Sequence, residues 1–169
     1  MNSRAAGQSE CTVAIVGFGT VGQAVARILK SDLHPTLRLT HICNRNIERK
    51  RVDWIEPDVV WTDSFDSVLA SPVDVVVELI GAVSPARSWI ERALAAGKSV
   101  VTANKQLIAE AGPALLTQAS EHQQKLLFEA AVGGGIPVLR GLREGVAGDK
   151  LYRIEGILNG TCNFILTRM

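Results

Sequence analysis

An α/β fold built on a doubly wound parallel sheet is predicted by three features of this 169-residue sequence. First, apolar strand-like runs alternate with segments of helical periodicity from residue 11 to residue 131. That order builds parallel strands joined by right-handed crossovers, with helices on both faces. Second, Thr12 to Val16 is apolar throughout, as expected of a strand buried on both sides. Third, this strand runs straight into Gly17-Phe18-Gly19-Thr20-Val21-Gly22, and a helical pattern follows. In a G-x-G-x-x-G so placed, the first glycine allows the turn and the second admits a pyrophosphate close to the backbone. The third lets the helix approach the sheet with its first N–H groups aimed at the phosphates. The expectation is a Rossmann-type dinucleotide fold with its ligand at the carboxyl ends of the strands.

The elements follow in order. Residues 1–10 are polar and small and read as a disordered lead-in. Val21, Ala24, Val25, Ile28 and Leu29 mark one helix face, ended by Ser31-Asp32 and His34-Pro35. Leu37 to Cys43 reads as a second strand, Asn44 to Arg51 as a polar, basic loop, Val59 to Trp61 as a strand and Ser64 to Ala70 as a short helix. Asp74 to Ile80 is a buried strand. In the next helix Ser84 suits the N-cap and Pro85 the first turn, Ala86, Trp89, Ile90, Ala93 and Leu94 form the stripe, and Gly97 stops it. Ser99 to Thr102 is a strand, Gln106–Ala111 and Pro113–Gln124 are helical pieces broken at Gly112-Pro113, and Leu126 to Ala131 is the last strand.

A domain boundary falls near residue 131. Beyond it, Gly133-Gly134-Gly135-Ile136-Pro137 breaks the pattern. Pro137 to Val146 reads as a helix, Leu151 to Leu158 as a strand, Asn159-Gly160-Thr161 as a turn and Cys162 to Met169 as a helical start. Residues 132–169 are too few for a core of their own and look like the beginning of a second domain.

Composition narrows the class. With 47% hydrophobic and 21% charged residues the chain can bury a core. A net charge of +1 without long single-sign runs, and 5% aromatics, argue against a nucleic-acid partner. Cys11, Cys43 and Cys162 are far apart and show no C-x-x-C or zinc spacing, which suits a reducing compartment. The first ten residues do not resemble a signal peptide, and no apolar run reaches membrane-spanning length. A soluble cytoplasmic protein is expected.

Several residues are candidates for chemistry. NAD-preferring folds often place an acid at the end of the second strand to hold the ribose 2′-OH. Here that position holds Asn44, then Arg45, with Arg49, Lys50 and Arg51 close by. A guanidinium there suits a 2′-phosphate, which points to NADP; the alternative is a solvated basic loop. Lys105, after Thr102-Ala103-Asn104, sits at a strand end where it can hold a phosphate, orient a carbonyl or move a proton, or else is a surface lysine. Glu78 precedes Leu79-Ile80-Gly81 and reads equally as functional or as a cap for a neighbouring helix. Glu129 beside a glycine-rich loop has the oxygen donors for a hard cation, although tri-glycine is more often a hinge. His34, His41 and His122 fall in separate elements and form no catalytic grouping.

Together these segments resemble homoserine dehydrogenase, an NAD(P)-dependent oxidoreductase family of the aspartate pathway. The carrying segments are 17–22, Val75 to Gly81, Thr102 to Lys105, Glu129 to Pro137 and Gly156 to Thr167. The resemblance implies reversible hydride transfer between L-aspartate 4-semialdehyde and L-homoserine. It implies cofactor contacts from Gly17, Phe18, Gly19, Thr20, Val21, Gly22, Ile80 and Gly81. Arg45 and Lys50 match the basic residues that favour NADP over NAD, and Lys105 matches a lysine near nicotinamide and substrate. Glu129 with the carbonyls of Val132, Gly134 and Ile136 matches a sodium site. Gly156 and Thr161 lie on the substrate side, at the start of an α+β substrate domain. The family's remaining substrate domain, its proton-transfer Asp and Lys and much of a homodimer interface have no counterpart before Met169, so cofactor binding with little turnover is expected of these 169 residues. Two alternatives stand beside this reading: another oxidoreductase of the same architecture acting on a sugar or small aldehyde, and a non-catalytic nucleotide-binding module.

Overall fold

The computed structural model describes residues 10–156 and 160–169. Strands β1 (Cys11–Val16), β2 (Leu37–Cys43), β3 (Val60–Thr62), β4 (Val75–Glu78), β5 (Ser99–Thr102) and β6 (Leu126–Leu127) form one sheet. All neighbours are parallel, in the order β3-β2-β1-β4-β5-β6. Helices α1 (Thr20–Lys30), α2 (Phe65–Ala70), α3 (Val83–Ala95) and α4 (Lys105–Glu121) connect them, and α5 (Val138–Arg140) and α6 (Gly160–Arg168) follow. The chain starts mid-sheet, winds outward to β3, returns to β4 and winds out again to β6. The direction of winding reverses between β1 and β4, which is where such a sheet opens a ligand crevice.

Right-handed crossovers dictate the layers. On one face Ala14, Val16, Val76 and Val100 pack against Ile90 and Leu94 of α3 and Leu107 and Leu115 of α4. On the other, Val13, Ile15 and Ile42 pack against Ala26 of α1 and against Phe18, Ile55 and Val59. On that second face α1 and the segment around residues 52–59 lie over the β1–β2 side. Val101 is therefore only half-buried and Leu127 is exposed.

Three expectations change. The break at Gly112-Pro113 does not occur, because α4 runs through Pro113. Leu107, Ala111, Leu115 and Ala119 form a continuous buried stripe, and Pro113 faces solvent. A mid-helix proline costs about 3 kcal/mol. Burying two leucines gains about 1.5–3 kcal/mol each, which is enough to hold the helix together. The last strand stops at Leu127, where Phe128 leaves extended geometry (φ −144°, ψ 29°) and Glu129–Ala131 form a 3-10 turn. Residues 151–156 are exposed and irregular rather than a strand, since no described strand lies alongside to satisfy their backbone. The expected helix over Pro137 to Val146 forms, as α5 continued by one π-helical turn over Gly141–Gly145.

A smaller shift occurs at β3, which starts one residue late, while Ser84 keeps the extended backbone (φ −103°, ψ 131°) expected of a residue that caps the helical turns from Pro85. Most of the expected lead-in, and residues 157–159, lie outside the described residues. Glu10, at its end, pairs with Arg38 at 3.0 Å.

Candidate functional site

The glycine turn sits between the tips of β2 and β4. Gly17 N–H donates to the Cys43 carbonyl at 2.8 Å, and Leu79 N–H donates to Val16 at 2.8 Å. Gly17 has φ +101°, and a Cβ there would lie 2.8 Å from the Leu79 carbonyl carbon and oxygen. A Cβ on Gly22 would lie 2.1 Å from the Gly17 carbonyl oxygen. A Cβ on Gly19 would meet nothing within 4 Å. The protein's own packing thus demands the first and third glycines, while the second borders open space at the start of α1. Thr20 and Val21 are exposed in the first turn of that helix, where unpaired N–H groups and the positive end of the helix dipole favour an anion.

Phe18 plays a different part from its neighbours. Its ring is fully buried, stacked on Trp54 at 6.2 Å and edge-on to Trp61 at 5.0 Å. Its N–H is taken by Asn44 Oδ1 at 3.0 Å. Phe18 therefore anchors the turn from behind.

At the tip of β2, an open hollow of about 700 Å³ is lined by Asn44, Arg45, Asn46, Lys50 and Asp63. Asn46 turns the chain with left-handed backbone (φ 57°), which brings Arg45 and Lys50 to one hollow. Asn44 fixes the floor: its N–H donates to Thr62 at 3.0 Å and its Nδ2 donates to the Arg45 carbonyl. Two cations face one carboxylate there. The Cys43 thiol is pushed up to about 11, first by burial and then by the charge of Asp63, so it stays protonated and inert.

The tips of β4 and β5 are tied together by polar side chains. The Glu78 side chain, 1% exposed, accepts from Ile80 N–H at 2.8 Å and from the Thr102 hydroxyl at 2.5 Å. Thr102 Oγ1 in turn accepts from Asn104 N–H at 3.0 Å. Asn104 Oδ1 caps α4 by accepting Leu107 N–H at 3.1 Å, and its Nδ2 donates to the Ala82 carbonyl at 2.9 Å. This chain of bonds shapes the turn through Ile80 and Gly81 (φ +74°) and places Lys105, exposed, as the first residue of α4.

The sequence and the fold both match known proteins. The family model for the NAD binding domain of homoserine dehydrogenase matches residues 17–129, and the model for homoserine dehydrogenase itself matches residues 137–169. The chain belongs to the homoserine dehydrogenase family. Homoserine dehydrogenase of Synechocystis is 39% identical over 163 residues, and that of Mycobacterium tuberculosis 41% over 162; each match covers 93% of this chain and 37% of the relative. The chain thus spans less than two fifths of the length of these curated relatives. Among solved structures, a homoserine dehydrogenase from Thiobacillus denitrificans superposes with a TM-score of 0.81 at 37% identity, covering 95% of this chain and 39% of that one. A hyperthermophilic archaeal homoserine dehydrogenase mutant in complex with NADPH gives 0.77 at 28% identity, over 95% of this chain and 56% of that one.

Gly17, Gly19, Thr20, Val21, Gly22, Arg45, Lys50, Ile80, Gly81 and Lys105 all fall at the carboxyl ends of β1, β2, β4 and β5. Glu129 is placed otherwise than as an open donor. Its carboxylate accepts Leu139 N–H at 2.8 Å and Arg140 N–H at 3.0 Å, at the start of α5. The Ile136 carbonyl accepts from Val138 at 2.8 Å. Gly156 is exposed in an irregular stretch, and Thr161 lies in α6 with its side chain outside the described residues. No helix among the described residues is long and apolar enough to cross a membrane.

Two residues here escaped the sequence reading. Asn104 caps α4, a role signalled by Asn immediately before an apolar periodic run. Asn44 ties the glycine turn to the basic loop through one bond to Phe18, 26 residues away, which no local pattern announces.

Proposed function

We propose that this chain is the cofactor-binding part of an enzyme that reversibly reduces L-aspartate 4-semialdehyde to L-homoserine, with NADPH preferred over NADH. The observation that carries the reading is the open approach to the Gly19 backbone, where a Cβ would meet nothing within 4 Å, flanked by two glycines that the fold itself requires and lying between the β1 and β4 tips. Bound there, the cofactor supplies the hydride. The first-turn N–H groups of α1 receive the diphosphate. Arg45 and Lys50 in the β2 hollow receive the 2′-phosphate, with charge-assisted hydrogen bonds as the source of preference. The archaeal neighbour solved with NADPH supports that choice.

Ile80 and Gly81 then flank the other half of the dinucleotide. Lys105, at the β5 tip, orients the aldehyde oxygen or relays its proton, while Gly156 and Thr161 belong to the substrate side. Three further parts of the reading are a homodimer, a cytoplasmic location and a sodium ion at Glu129. Glu129 with the carbonyls of Val132, Gly134 and Ile136 fits that ion only in part, because the carboxylate already caps α5. No step of the reading runs through a metal. The test is a fluorescence titration of the chain with NADPH and with NADH. Saturable NADPH binding, tighter than NADH, is expected. No saturation by either at millimolar concentration, the weak limit near −4 kcal/mol, refutes the reading.

A further inference from the structure

We propose that Glu78, acting through Thr102, is a positioning residue for the nicotinamide half of the cofactor; this rests on the cofactor reading above. The dinucleotide divides over the sheet. With the 2′-phosphate hollow at the β2 tip and the diphosphate shelf between β1 and β4, the remaining half must extend over β4 and β5. There the chain places a carboxylate 1% exposed, in no ion pair among the described residues, held by Ile80 N–H at 2.8 Å and the Thr102 hydroxyl at 2.5 Å. A buried carboxylate is a poor way to stabilise a sheet core, where an apolar side chain on β4 serves better. Its two bonds instead reach the two loops that border the cofactor's second half.

Through Ile80 N–H, Glu78 fixes the Ile80-Gly81 turn. Through Thr102 and the Asn104 N–H at 3.0 Å it fixes the start of α4, where Lys105 projects. The Asn104 bond to the Ala82 carbonyl closes the ring between the two loops. Loss of this linkage frees both loops on the nicotinamide side and leaves the adenosine side untouched, because Arg45 and Asn44 are held by β2 and β3 instead.

The experiment uses the full chain and two probes, NADPH and adenosine 2′,5′-bisphosphate, which lacks the nicotinamide half. Thr102→Val is expected to weaken NADPH by about tenfold, the value of one charge-assisted bond, with the bisphosphate unchanged. Glu78→Gln is expected to shift the same probe in the same direction, and Thr102→Ser to restore wild-type affinity. Equal weakening of both probes in step with a lower Tm shows a merely structural role and overturns the proposal. So does a folded Thr102→Val that binds NADPH normally. In the wild-type chain, NADPH but not the bisphosphate should slow amide exchange at Ile80 and Leu107; equal protection by both overturns the proposal even if the variants do not fold. Failure of wild type to bind NADPH at all defeats the underlying cofactor reading, a result distinct from these.

Discussion

The three glycines of the turn make separable demands, so replacing each in turn by alanine separates folding from binding. At Gly22, the new methyl would sit 2.1 Å from the Gly17 carbonyl oxygen, a backbone atom that cannot swing away. Ordinary carbon–oxygen contact needs more than 3 Å, so α1 or the turn must move by about 1 Å. Overpacking of this kind costs about 1–3 kcal/mol. Gly17→Ala adds backbone strain at φ +101° to a 2.8 Å clash with Leu79, for a total of about 2–6 kcal/mol. A domain holds only about 5–15 kcal/mol in all, so both variants should show clearly lower urea midpoints. Gly19 differs: its backbone (φ −87°, ψ −158°) is open to alanine and nothing lies within 4 Å. Gly19→Ala should unfold like wild type, or at slightly higher urea, because alanine narrows the unfolded ensemble by about 0.4–1 kcal/mol. It should nonetheless lose NADPH affinity by tenfold or more, about 1.4 kcal/mol, because the methyl fills the space meant for the diphosphate.

The assays are urea unfolding followed by circular dichroism and NADPH fluorescence titration on the same preparations. A Gly19→Ala chain that binds as wild type refutes the placement of the diphosphate. A Gly22→Ala chain with an unchanged midpoint refutes the close approach of α1.

Arg45→Ala should weaken NADPH by about 10–100-fold and leave NADH within twofold, measured by paired titrations; equal losses would mean that the hollow does not read the 2′-phosphate. Asp74 accepts the Thr12 N–H and hydroxyl, both at 2.7 Å, and these bonds hold its carboxyl below the usual range. Its contribution to stability is therefore complete above the unfolded carboxyl pKa and fades as pH falls through the lower folded value, so Asp74→Asn should flatten the loss of Tm below about pH 4. Asn104→Ala removes the α4 cap and the Ala82 tether and should cost about 1–2 kcal/mol in urea unfolding. The Cys43 thiol, raised to about 11 and buried, should react with a thiol reagent only on unfolding, while Cys11 reacts partially in the native state.

The parts of the fold readable in the sequence are those set by local chemistry. The strand Leu37–Cys43 and the strand Ser99–Thr102 appear where the apolar runs place them. The turn at Gly17–Gly22 has the geometry its spacing requires. Where distant residues decide, the sequence misleads. Pro113 signals a break, but the stripe from Leu107 to Ala119 packs against α3 and overrides it. Leu151 to Leu158 reads as a strand, yet 151–156 are irregular, because a strand exists only with a neighbour. Glu129 precedes glycines that suggest a metal loop, and only the folded chain shows its carboxylate meeting N–H groups ten and eleven residues on.

The two halves of the crevice use different physics, which bears on how the cofactor is chosen and how it is held. At the β2 tip the charges are exposed or half-buried and the hollow is open. Coulombic attraction there is screened by salt, so preference for a 2′-phosphate should shrink as ionic strength rises. At the β4 and β5 tips Glu78, Thr102 and Asn104 are at most 3% exposed and fully bonded to one another and to backbone. Salt cannot reach those bonds, and their role is to fix geometry rather than to attract charge. Raising salt should therefore erode the discrimination between NADPH and NADH, with NADH affinity falling less steeply because only its diphosphate meets exposed positive charge, at the start of α1. If NADH binding fell as steeply as NADPH binding, the division of labour between the two sides of the sheet would be wrong.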